Sequence, residues 1–101
     1  MMGLFGHKGQ LPVPPAANSD GAALELARVW ATGGAQEVTL RAEAWDDPAA
    51  WGIMLVDLAR HVASAYEKTR GMKSADALAR IRSGFDAEWE SSTSSTTGLI
   101  T

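Results

Sequence analysis

The chain has 101 residues, of which 46% are hydrophobic and 21% charged, with a formal net charge of −3 and no cysteine. That is ordinary globular composition for one domain. The absence of cysteine excludes disulfides, thiolate metal sites and thiol catalysis, and the acidic balance argues against a phosphate-binding surface, so no nucleic-acid partner is expected.

The N-terminal residues 1–22 carry Gly3, Gly6, Gly9, Pro12, Pro14, Pro15 and Gly21. This composition predicts flexible or extended chain rather than a packed element. Met1 to Lys8 lacks the sustained apolar run of a secretory signal. The longest uncharged apolar run, Pro48 to Val56, is well short of the ~20 residues a membrane-spanning helix needs. The expectation is a cytoplasmic protein with no membrane partner.

Leu24 to Ala31 and Gln36 to Arg41 read as two strands, with Thr32-Gly33-Gly34-Ala35 between them. Gly-Gly tolerates the positive φ of a type I′ turn, so a hairpin is predicted. A two-residue turn pairs Val29 with Val38 and Ala27 with Leu40 on a face read as core. Trp30 with Glu37, Arg28 with Thr39 and Leu26 with Arg41 then lie on the other face. A turn one residue longer would instead bring Trp30, Val38, Leu26 and Ala42 together.

The stretch Trp45-Asp46-Asp47-Pro48-Ala49-Ala50-Trp51-Gly52 reads as a helix start. Asp47 can accept hydrogen bonds from free N–H groups of the first turn, and Pro48 suits the first helical position. Trp45 can fold back onto Trp51 as a staple. Trp51, Leu55, Leu58, Val62 and Ala65 recur at helical spacing, and Gly71 is a natural stop about 22 residues on. Asp57, Arg60, His61, Ser64, Glu67 and Lys68 make the polar face. A second helix is predicted from Ser74, read as its cap, with the stripe Leu78, Ile81, Phe85 and Trp89. Gly84 within that stripe suggests close approach of a neighbour. Ser91 to Gly98 is a polar run that predicts a disordered Ser/Thr-rich tail over 91–101. The fold class is therefore α+β, a β-hairpin followed by two antiparallel helices (ββαα), with the helices packed on one face of the sheet. The domain is expected to span residues 23–90.

Trp45 to Gly52, followed by Leu55-Val56-Asp57-Leu58-Ala59-Arg60-His61-Val62, resembles a family of small bacterial proteins known only as a domain of unknown function. Leu26 to Trp30 and Phe85 to Trp89 fit the same resemblance, which covers Leu24 to Trp89. It implies a short stand-alone bacterial protein, with no functional residues to carry over.

For chemistry, Asp57 and His61 stand one helical turn apart, where a carboxylate can orient an imidazole as a general base or both can ligate a metal. The simpler reading is a polar patch, with Asp57 paired to Arg60 and His61 on a solvated face. A zinc site needs a third ligand, and the only other histidine, His7, lies in the N-terminal segment. No catalytic, metal or cofactor-binding residues are assigned and no cofactor is expected. Leu26, Arg28, Trp30 and Arg41 form a candidate interface on one hairpin face. A hairpin alone is marginal and has unpaired edges. The leading expectation is thus a non-enzymatic protein–protein interaction module that self-associates through its hairpin as a homodimer, with an unidentified protein partner also open. The alternative is a small-ligand binder or enzyme accessory subunit with a polar site around His61.

Overall fold

The structure is a computed structural model that describes residues 6–91 and the backbone of residues 98–100. Its elements are a short helix α1 (Pro15–Asn18), strands β1 (Ala27–Thr32) and β2 (Ala35–Leu40), a 3₁₀ turn (Ala42–Ala44), the long helices α2 (Ala49–Arg70) and α3 (Ser74–Glu90), and a strand β3 (Gly98–Ile100). The ββαα order expected from the sequence is observed. α1 lies inside the segment expected to be flexible, and β3 lies inside the expected tail, residues 92–97 and 101 of which fall outside the described residues.

The hairpin turns at Gly33 and Gly34, with φ of 43° and 88°. Both are positive, as the primed two-residue turn requires. The shorter of the two registers is the observed one, with Val29 opposite Val38, Trp30 opposite Glu37 and Ala27 opposite Leu40. Beyond the strand ends the ladder continues through the Arg41 N–H, which donates to the Leu26 carbonyl at 2.9 Å. β3 pairs parallel to β2, giving the order β1-β2-β3.

α2 starts as its sequence dictates. The Asp47 carboxylate accepts from the Ala49 N–H at 2.9 Å, which satisfies one of the free donors of the first turn. Trp45 packs edge-on to Trp51 with centroids 5.0 Å apart. The helix stops at Gly71, which adopts φ 69° while its N–H donates to the Glu67 carbonyl at 3.2 Å. The 22 residues between make a rod of about 33 Å. Ser74 does not cap α3 through its hydroxyl. Its own N–H is instead capped from the previous helix, donating to Glu67 Oε2 at 3.0 Å. This bond spans the link 71–73 and ties the two helices back to back.

The packing departs from expectation in places. The extended contacts are α2 with α3, β1 with β2 and β2 with β3. On the face read as sheet core Val29 is exposed while Ala27, Val38 and Leu40 are half-buried, as are Trp30, Leu26 and Arg28 on the other face. Finally, α3 does not sit on the Trp51-to-Ala65 stripe of α2. It sits on the neighbouring side, where Ala63 and Ala77 are the two buried apolar residues among those described, 2% and 3% exposed. Small side chains explain the choice, because two helices approach closest where alanines face each other. A methyl group placed on Gly84 would meet nothing within 4 Å beyond its own stretch of helix, so close approach of a neighbour is not the reason for this glycine.

Candidate functional site

The polar patch comes first. His61 Nδ1 donates to the Asp57 carbonyl oxygen at 2.8 Å and lies 3.4 Å from the Asp57 carboxylate. The expected one-turn neighbours do meet. The two side chains are 74% and 71% exposed, so water rather than protein surrounds them. Such a pair has no walls to exclude solvent or hold a substrate in line, and its imidazole is engaged by its own helix backbone. Arg60 lies apart from this pair. It lines an open hollow of about 250 Å³ between α2 and α3, with Ala63, Ser64, Glu67, Ser74, Ala75 and Leu78. That volume is below the roughly 300–1,000 Å³ usual for a ligand pocket. No group of three or more His, Cys, Asp or Glu able to hold a metal occurs among the described residues.

The hairpin candidates are partly occupied within the chain. Arg28, which stands opposite Thr39, pairs with Glu25 at 2.9 Å. Arg41 donates from Nε to the Glu25 carbonyl at 3.1 Å and lies 3.5 Å from Glu43. Trp30 is met by the N-terminal segment: the His7 ring stands edge-on to it at 5.1 Å. His7 is held for this by the Gly9 N–H, which donates to its Nδ1 at 2.9 Å. Among the described residues, what remains uncovered at the hairpin is its outer edge. β2 is flanked on both sides, whereas β1 is the outer strand of the sheet. Arg28, Trp30 and Thr32 direct their backbone groups at β2, so those of Ala27, Val29 and Ala31 point outward.

The apolar stripe of α2 is the feature whose role differs most from expectation. Leu55 and Leu58 are 49% and 51% exposed, and Val62 and Tyr66 are exposed as well. Their spacing alternates by four and three residues from Trp51 through Leu55, Leu58 and Val62 to Ala65. This is the spacing of one apolar face of an amphipathic helix. None of the five is charged. The polar groups nearby are turned aside: Thr69 donates its hydroxyl to the Ala65 carbonyl at 2.7 Å, and Arg70 lies over the Tyr66 ring at 5.1 Å. At the far end of α3, Phe85 and Trp89 stack at 5.4 Å and are themselves exposed. The periodicity marked both stripes correctly as apolar. It could not say that α3 would choose the alanine side of α2.

No helix among the described residues is long and apolar enough to cross a membrane.

Among solved structures, the chain is similar to one from the photosynthetic bacterium Rhodopseudomonas palustrus CGA009, described as a "putative pyruvate dehydrogenase". The two are 34% identical, with a TM-score of 0.71, over 96% of this chain and 98% of the other. No curated protein matches the sequence. Residues 10–93 match the family described as a domain of unknown function, DUF5076, and the chain belongs to that family.

Proposed function

We propose that this domain is a non-enzymatic protein–protein interaction module that self-associates, the hairpin contributing its open β1 edge to the contact. The observation that carries this reading is the set of large apolar side chains left uncovered. Val29, Leu55, Leu58, Phe85 and Trp89 are each about half exposed or more, and Val62 is exposed as well. Exposed apolar faces on small domains mark association surfaces.

The sheet supports a closed assembly rather than a fibre. β3 is only three residues long, and it covers one side of β2. So short a strand blunts its own edge. Among the described residues, the one long open edge is β1. Antiparallel pairing of β1 with its own copy about a two-fold axis extends the sheet and leaves only short edges outside.

A ligand site around His61 finds no support in side chains that are largely solvated. The dehydrogenase description of the Rhodopseudomonas protein likewise finds no enclosed cluster of acids, bases or nucleophiles among the described residues to receive it. Sedimentation equilibrium of the full chain tests the reading. A dimer or higher closed oligomer at low micromolar concentration is expected, and a single 10.7 kDa species at high micromolar concentration would overturn it.

A further inference from the structure

The sheet edge does not cover the apolar face of α2, and this face has its own geometry. We infer that the seam of Trp51, Leu55, Leu58, Val62 and Ala65 is occupied by α2 of a second copy, running antiparallel; this rests on the self-association proposed above.

Three observations point to this occupant. Leu55, Leu58 and Val62 lie off the side that α3 closes and are exposed, while Trp51 at the start of the seam is half-buried against Trp45. Its alternating four- and three-residue spacing is the pattern by which one helix packs along another. It extends from Trp51 to Thr69 on an unbroken helix, a length of about 27 Å.

Side-chain volumes then choose the partner and direction. The seam is bulky at its start and small at its end. A parallel pair would set Trp51 on its own copy and Ala65 on its own copy, crowding one end and leaving a void at the other. An antiparallel pair places Trp51 over the partner's Thr69, Leu55 over the partner's Ala65, and Leu58 beside the partner's Val62. Every layer then joins a larger and a smaller side chain, which is how close-packed layers fill space. Thr69 can serve in such a layer because its hydroxyl is already bonded to its own helix, leaving its methyl group to face outward. The two-fold axis needed for this pairing is the commonest symmetry of homo-oligomers.

The test uses the full chain and two kinds of variant. Leu58→Glu places a charge at the middle of the seam on a residue that contacts no in-chain core. Its circular dichroism should stay helical, while its dissociation constant rises about 100-fold or more over wild type. The chain has no cysteine of its own, so a disulfide-linked dimer reports only introduced positions. In an equimolar mixture of Leu55→Cys and Ala65→Cys chains, oxidation should give mainly the mixed dimer. A monomeric wild type would overturn both this inference and the self-association it rests on. An oligomeric wild type with Leu58→Glu equally oligomeric would overturn the seam alone and leave the hairpin edge to carry the contact. Predominant Leu55→Cys self-linkage would overturn the antiparallel direction. If Leu58→Glu loses helicity, the cysteine mixture decides by itself: mixed dimer supports the seam, and no linkage rejects it.

Discussion

The two sides of α2 differ in the opposite sense from an ordinary core. On the side that α3 closes, the buried residues are alanines, with a capped link and a shallow polar hollow beside them. On the other side stand Leu55, Leu58 and Val62, all exposed. Burying a leucine contributes about 1.5–3 kcal/mol, and burying an alanine methyl far less. The chain thus uses its close contact to fix the helical hairpin's geometry and leaves its larger hydrophobic gain outside the fold. Small residues set where helices meet; large ones decide how strongly they are held. In this molecule those two tasks fall on different faces of one helix.

The closed side offers the largest effect by which to break this comparison. Ala77 is buried on α3, which packs along α2, and Ala63 is the buried residue of α2. Ala77→Phe inserts a ring where the helices approach most closely, and over-packing of that kind costs about 1–3 kcal/mol. Urea unfolding at fixed protein concentration should show a lower midpoint with little change in slope. If Ala77→Phe unfolds at the same midpoint as wild type, the alanine side is not where the helical hairpin is held, and the contrast between the two faces disappears.

A smaller effect of opposite sign sharpens the comparison on α3. Gly84 sits mid-helix with open space around it. Glycine there costs roughly 1 kcal/mol relative to alanine through backbone entropy. Gly84→Ala should therefore raise the unfolding midpoint by a few degrees in a calorimetric scan. A loss of stability would show that this side of α3 is pressed against something when the protein is in solution, and would extend the association surface from α2 toward Phe85 and Trp89.

Much of the fold was legible for local reasons. The hairpin register followed from a turn that only two adjacent positive-φ residues can make, and Gly33-Gly34 supplied them. The start and end of α2 followed from Asp47-Pro48 and Gly71, each of which acts within one turn of itself. Tertiary choices were not legible in the same way. A stripe such as Leu55, Leu58 and Val62 states that a face is apolar and not what will cover it, and the nearest element in sequence is only the simplest guess. The alanines at 63 and 77 carry almost no hydropathy signal, although close approach depends on them. The role of Glu67 as a cap for α3 depended on the helices already being side by side. Likewise Arg28 took Glu25 from its own strand approach, a partner that cross-strand logic passes over.

The smallest effect belongs to the residue that looked most like chemistry. His61 and Asp57 are neighbours on α2, yet both are largely solvated. An exposed pair of this kind contributes about 0–1 kcal/mol, because water screens the charges and two free side chains must be ordered to hold it. His61→Ala should change unfolding stability by no more than about 0.5 kcal/mol. It should also leave the oligomer's dissociation constant within a few-fold of wild type, since His61 flanks the Leu58 and Val62 seam without joining it. The comparison with Leu58→Glu is what gives this variant its value. Two substitutions three residues apart on one exposed helix should differ greatly in their effect on assembly, and only a boundary between seam and solvated face explains such a difference. Equal loss of assembly in both variants would mean that the contact is centred on the polar edge, with Asp57, Arg60 and His61 buried under the partner. The apolar seam would then be its rim.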